Sequence, residues 1–213
     1  MDDRLKPRAA DILLLIDLQY DFMPGGALAV AEGDAIVPLV NRLAVIFQHV
    51  ALTQDWHPRG HVSFASSHPG ARPFTTIRLA YGEQTLWPDH CVQGSYGAKL
   101  NGDVAVEVAS LILRKGANVD IDSYSAFVEA DGTTRTGLAG FLRDRGIDRV
   151  FLAGLATDYC VAFSALDARA AGFRTVVIED ACRAIDLGGS LAAAWRKMTD
   201  AGVERIDSAR LLA

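Results

Sequence analysis

Long apolar runs are missing from this chain of 213 residues. The run Ile12 to Ile16 is five residues long, whereas a membrane-spanning helix needs about 20. Preceded by the charged stretch Met1 to Arg8, it is also too short for a secretory leader, so the expected location is the cytoplasm. Cysteine is scarce. Cys91, Cys160 and Cys182 are the three present, an odd count that makes no disulfide framework and suits a reducing compartment. Positive charge is in the minority, with 21 Lys and Arg against 26 Asp and Glu and a net charge of -5. That balance argues against a nucleic-acid partner or an anionic membrane surface. There is no internal repeat, low-complexity tract or linker. Residues 1–213 are therefore expected to form a single domain, large enough for one sizeable core.

What is present is an alternation of strand and helix signals. Arg149 to Ala153 is a short apolar run suited to a buried parallel strand. It leads through Gly154-Leu155-Ala156-Thr157-Asp158-Tyr159-Cys160 into an Ala-rich helix that Gly172 stops. The spacing of Val161, Phe163, Leu166 and Ala170 marks the expected buried face of that helix. Cys160 then falls in the first helical turn, where free N–H groups and the helix dipole favour a thiolate nucleophile; a buried core cysteine fits this position equally well. Ala10 to Asp17 reads as a strand buried on both faces, and Val50 to Gln54 as the next. Between them a helix is expected from about Asp34, as N-cap, to Gln48. From Asp55 to about Gly102 the chain is irregular, and so long a loop inside a compact domain is usually functional. Ser110 to Gly116 is a third strand, Thr136 to Arg145 a helix, Arg174 to Glu179 a strand, Ser190 to Ala201 a helix and Val203 to Ile206 a last short strand.

Such alternation predicts an α/β fold: three layers, with a mainly parallel β-sheet flanked by helices. In such sheets ligands bind beyond the carboxyl ends of the strands. Asp17, Asp55, Lys115 and Cys160 all stand at those ends. One charged residue there is an ordinary solvated side chain, but four on one rim point to a reactive site.

Six motifs in order then carry a resemblance. They are Asp17-Leu18-Gln19-Tyr20-Asp21-Phe22, Asp55-Trp56-His57-Pro58, Trp87-Pro88-Asp89-His90-Cys91-Val92, Lys115-Gly116, Asp122-Ser123-Tyr124-Ser125-Ala126-Phe127 and Gly154 to Cys160. With them the chain resembles the isochorismatase-like cysteine hydrolases, and among these the nicotinamidase family. The resemblance implies a catalytic set of Asp17, Lys115 and Cys160, with Asp17 as general base and Lys115 balancing charge. It implies a cis peptide at Leu155-Ala156 and an oxyanion hole from the N–H groups of Ala156 and Cys160. It also implies that Asp55, His57 and His90 hold one divalent metal ion (Zn2+, Fe2+ or Mn2+). Some relatives use a histidine near His61 as a further ligand, and His61 is left outside the core set here. Phe22 and Trp87 would hold a pyridine ring, with Tyr124 closing the pocket. A loop Trp beside Pro88 is read as lying outside the deep core, and Cys91 as structural.

The implied reaction converts nicotinamide to nicotinate and ammonia, through an acyl-thioester on Cys160, with pyrazinamide as a second substrate. The partner is then a small molecule, and a homo-oligomer is compatible with the family. The alternatives are a sister amidase acting on another small amide, which would lack the Asp55, His57 and His90 cluster, and an inactive metal-stabilised scaffold.

Overall fold

The computed structural model describes residues 5–212. At its centre is a six-stranded sheet formed by β1 (Asp11–Ile16), β2 (His49–Asp55), β5 (Leu111–Lys115), β6 (Arg149–Leu155), β7 (Arg174–Arg183) and β8 (Glu204–Ile206). The order across the sheet is β5-β2-β1-β6-β7-β8, and every pairing is parallel. The chain runs outward from β1 to β5 on one side, then returns to β6 on the other, so the winding reverses between β1 and β6. At such a switch point the connecting segments part, leaving a crevice beyond the strand ends.

All the residues of β1 and β6 are buried, as their unbroken apolar runs require in a sheet covered on both faces. Alternate side chains go to opposite faces. Leu13, Leu15, Phe151, Val176 and Ile178 join one apolar cluster, together with Val40 and Leu43 of α1 (Val37–Ile46) and Leu211 of α5 (Ala209–Leu212). Ile12, Leu14, Ile16, Leu152 and Val177 join the other, under α2 (Leu138–Asp144), α3 (Ala162–Ala170) and α4 (Ser190–Asp200). The expected three-layer α/β fold is what forms. Among the described residues, no helix is long and apolar enough to cross a membrane.

The structure corrects three local expectations. Asp34 makes no capping bond; it opens a single 3-10 turn, Asp34–Ile36, and α1 starts after it with a proline in its first turn. Proline is favoured there because the first N–H groups of a helix lack partners anyway. Cys160 lies in a π-helical turn, Thr157–Val161, that precedes α3, not in the first turn of an α-helix. That wider turn shifts the helical phase by about one residue. Phe163, expected inside, is therefore 43% exposed, and Ala162, Ser164, Ala165 and Ala168 pack inward instead. Lastly, the segment read as irregular contains a hairpin, β3 (Thr76–Leu79) paired with β4 (Gly82–Thr85).

At the amino-terminal ends of β1 and β6, Arg149 and Asp11 form a fully buried ion pair. Arg149 donates to both Asp11 oxygens, at 2.9 and 2.5 Å. Burial opposes ionisation of Asp11, but its bonds to Arg149 and Arg8 outweigh that and hold its pKa below the ordinary value. Removing one partner of such a pair costs about 3 kcal/mol at the lower end of its range, the end that applies here because Asp11 keeps Arg8 at 2.7 Å. Arg149→Met is thus expected to lower unfolding stability by about 3 kcal/mol in urea titrations. An unchanged midpoint would show that the pair contributes nothing.

Candidate active site

Strand register builds the floor of the site. Asp55 and Lys115 are paired residues at the ends of β2 and β5, and Asp17 follows directly on β1. The Lys115 ammonium is buried, with its Nζ 2.9 Å from Asp17 Oδ2, 3.0 Å from Asp55 Oδ1 and 3.4 Å from Cys160 Sγ. It also donates to the Ser123 carbonyl at 3.0 Å. Burial works against its charge, yet the two carboxylates and the thiol raise its pKa well above the ordinary lysine value. The structure therefore brings Asp17, Lys115 and Cys160 together.

These charges divide the work among the acids. Burial raises the Asp17 pKa, with the Asp55 charge adding and Lys115 opposing. Thr53 holds Asp17 from two sides: it donates to Oδ1 at 2.6 Å and accepts the backbone N–H at 3.1 Å. Asp55 goes the other way. Burial opposes its ionisation, but His57 and Lys115 outweigh this and hold it well below the ordinary carboxylate value. The thiol departs from expectation. Burial pushes the Cys160 pKa well up, Lys115 draws it down, and Asp17 and Asp55 push it up again. At rest the site thus favours a neutral thiol beside a carboxylate of raised basicity, so nucleophilic attack from Cys160 needs a proton acceptor.

Next to this floor, Asp55, His57 and His90 place one ligand atom each within 4.8 Å of one another. Nδ1 of His57 lies 2.9 Å from the Gly116 carbonyl, and Nδ1 of His90 lies 2.8 Å from the Pro88 carbonyl. A carbonyl only accepts, so in both rings Nδ1 carries the hydrogen and Nε2 is left with a lone pair. Both Nε2 atoms face Asp55 Oδ2, at 2.9 and 3.4 Å. Three electron-pair donors converging in a buried site repel one another unless a cation lies among them, and two imidazoles with one carboxylate suit a divalent ion. Without one, a proton serves: burial disfavours the charged His57 ring, but the Asp55 carboxylate outweighs it and raises the pKa. Gly116 is required here. Its φ is +67°, and a Cβ would meet His57 Cε1 at 2.5 Å.

His57, His61 and Asp122 form a second group within the same distance limit. There, however, the donor atoms are engaged elsewhere. Asp122 accepts from Gln84 and from the Ser123 N–H, both oxygens being used. His61 Nδ1 faces Ser63 Oγ at 2.7 Å and its Nε2 faces the Ile121 carbonyl at 3.3 Å. Its ring lies against that of His57, centroids 4.1 Å apart, and burial and the His57 charge push its pKa down to about 4.

Above the floor is a small cavity whose lining includes Phe22, Trp87, Tyr124, Ala156, Tyr159 and Ile185, as well as Asp55, His57, His90 and Cys160. Trp87 was expected outside the deep core, yet it is 2% exposed. The loop folds inward across the strand ends, and bridges from Phe64 to Trp87 and from His57 to Val92 hold it there. The edge of Trp87 meets Tyr159 at 4.8 Å between centroids, and its Nε1–H donates to the Tyr124 hydroxyl at 2.9 Å. The Leu155-Ala156 peptide is cis. The Ala156 carbonyl takes the N–H groups of Tyr159 and Val161.

Several supporting residues lay inside the sequence motifs without being singled out. Gln19 accepts from the Asp55 N–H at 2.7 Å and donates to its carbonyl at 2.8 Å, fixing the backbone that carries the ligand. Asp21 accepts the Cys91 N–H at 2.6 Å, beside His90. Asp158 accepts the N–H groups of Ile185 and Asp186, holding Ile185 in the wall. Tyr159 itself was visible only as a neighbour of Cys160. An acidic side chain in a motif reads as reactive or as solvated; nothing in a single sequence marks it as a brace.

Comparison with known proteins gives consistent matches. Residues 11–210 match the isochorismatase domain family. The nicotinamidase of Acinetobacter baylyi is 53% identical over 209 residues, 98% of each chain. The solved Acinetobacter baumannii nicotinamidase/pyrazinamidase superposes with a TM-score of 0.95 at 55% identity, over 96% of this chain and 99% of that one. The pyrazinamidase of Pyrococcus horikoshii, solved in complex with zinc, gives 0.75 at 36% identity, over 93% and 99%.

Two measurements test the geometry. Gly116→Ala should push His57 away from Asp55 and weaken Zn2+ binding to chelator-stripped protein by about 10- to 100-fold; undiminished affinity in calorimetry would exclude His57 as a ligand. Lys115→Met removes the one group found to lower the Cys160 pKa, so alkylation of Cys160 at neutral pH should slow. A pH profile of alkylation that does not move would remove Lys115 from the catalytic set.

Proposed function

Because the chain belongs to the isochorismatase family, we propose that it is an amidohydrolase converting nicotinamide, and also pyrazinamide, to the corresponding acid and ammonia. The observation that carries this reading is the buried Lys115 ammonium, shared by Asp17, Asp55 and Cys160 directly beside a three-donor metal set. The named activities of the Acinetobacter relatives support the same substrate. One sheet with apolar clusters on both faces supports reading residues 1–213 as a single domain.

In the proposed mechanism Asp17 takes the Cys160 proton as Sγ forms a bond to the carboxamide carbon. The N–H groups of Ala156 and Cys160 stabilise the oxyanion, and Lys115 keeps the extra negative charge tolerable in a buried site. Collapse breaks the C–N bond. Asp17 returns the proton to the leaving nitrogen, so ammonia departs and a thioester remains. Water, deprotonated by Asp17, then attacks the same carbon. The acid is released, and Cys160 regains its proton. Phe22, Trp87 and Tyr124 would hold the ring. Asp55, His57 and His90 would hold the divalent ion, which, when bound, anchors and polarises the ring nitrogen. The zinc complex of the Pyrococcus relative supports Zn2+ as the first candidate, while Fe2+ and Mn2+ accept the same ligands.

An ammonia-release assay tests this reading directly. Metal-replete protein should hydrolyse nicotinamide, and Cys160→Ala should not. Benzamide has the same outline but no ring nitrogen, and a site built around a polar contact can reject such an analogue by about 10⁴ in kcat/KM. Equal turnover of the two amides would refute the anchoring of the ring nitrogen and favour a sister amidase.

A further inference from the structure

We propose that Gln84 is a positioning residue for the substrate cavity: it fixes the polar wall so that the Tyr124 hydroxyl hydrogen is left as a donor to the bound aromatic amide. The inference rests on the amidase reading above and adds a polar specificity contact to a wall otherwise described by its aromatic rings.

Gln84 sits on the β3–β4 hairpin, whose other strand residues are exposed or half-buried, yet it is itself 1% exposed. Its Nε2 lies 2.7 Å from the Thr85 carbonyl and 2.7 Å from Asp122 Oδ2, and 3.1 Å from the Tyr124 hydroxyl oxygen. A primary amide has two N–H donors, and the two shorter contacts use them. The reverse orientation of the amide would set its oxygen against a carbonyl and a carboxylate, so the assignment is determined by its neighbours. Its Oε1 is occupied by the Tyr81 O–H at 2.9 Å.

Tyr124 is then left with an uncommitted hydrogen. The Trp87 indole can only donate, so its contact at 2.9 Å uses a lone pair of the phenol oxygen. Gln84 Nε2 has no lone pair with which to accept. Among the described residues no hydrogen bond is donated by the Tyr124 hydroxyl. Burial and the nearby Asp122 charge raise the phenol pKa well above its ordinary value, so the hydrogen is retained. Tyr124 is half-buried: it lines the same cavity as Cys160 and His57 and, with Gln84 and Tyr81, also borders a broader open cleft. On the Cys160 side, a ligand in that cavity would supply the hydroxyl's acceptor.

Tyr124→Phe removes the donor and keeps the ring. It should raise KM for nicotinamide about tenfold, the worth of one buried hydrogen bond, with kcat changed by less than about twofold. Nicotinamide binding to a Cys160→Ala background, followed by calorimetry, should weaken by the same factor. Gln84→Leu removes the amide that positions the Tyr124 hydroxyl, so it should raise KM similarly. The double variant should then be no worse than either single one, a non-additivity that independent structural damage would not give. An unmoved KM in Tyr124→Phe while wild type turns over nicotinamide would overturn this inference alone. So would effects that multiply in the double variant, or a shifted Cys160 alkylation profile with KM unchanged, which would assign the hydroxyl to the thiol. Absence of both turnover and nicotinamide binding in wild-type protein would overturn it together with the amidase reading.

Discussion

One buried ammonium group holds this site together. Asp17 and Asp55 face the same small volume, and in a medium of low polarity two carboxylates there could not both stay ionised. The Lys115 charge between them, 2.9 Å from one and 3.0 Å from the other, makes the arrangement tolerable. It does so unequally. Asp55 gains His57 as a further partner and is held well below the ordinary value, while the more isolated Asp17 is raised. Two acids whose environments push their pKa values apart are suited to different roles, and the separation supports the proposed roles of Asp17 as base and Asp55 as a standing anion. A divalent ion on Asp55, His57 and His90 would add positive charge beside the thiol and strengthen the same division.

That ammonium is in place because of register. Asp55 and Lys115 are partners in a parallel ladder, so both side chains leave the sheet on the same face. A slip of one residue would turn Lys115 to the opposite face and dismantle the site. The neighbouring pair β1 and β6 shows the same economy. Gly154 pairs with Ile16, and a Cβ at Gly154 would meet the Ile16 carbonyl oxygen at 2.2 Å. Only glycine lets the strand that ends near Cys160 come so close to the strand that ends just before Asp17.

The strands, their parallel winding and the residues at their carboxyl ends were legible because each depends on local pattern: an apolar run of strand length, then a reactive side chain. The convergence of Asp55, His57 and His90 was legible from the family resemblance of their motifs, with Asp55 and His57 two residues apart on an extended segment. What was not legible depends on contacts between distant segments. Phe163 turned outward because a π-helical turn changed the phase of α3, and no single-residue preference encodes that turn. Trp87 went inside because a bridge to Phe64 draws its loop across the strand ends. The thiol looked activated from its local position, but burial beside two carboxylates, a fact of tertiary structure, dominates its titration.

This division has a consequence for how such a site can vary. The floor, with Asp17, Lys115 and Asp55, is built on strand ends whose positions are shared with the whole core, so any change there is felt by the sheet. The walls come from loops: Trp87 and His90 from the long segment after β2, and Asp122 and Tyr124 from the segment after β5. The hairpin carrying Gln84 touches those walls and not the floor. Substrate preference can therefore change through loop residues while the charge balance around Lys115 is untouched. The reverse does not hold, because no loop residue can replace a cation that two buried carboxylates and a thiol all require.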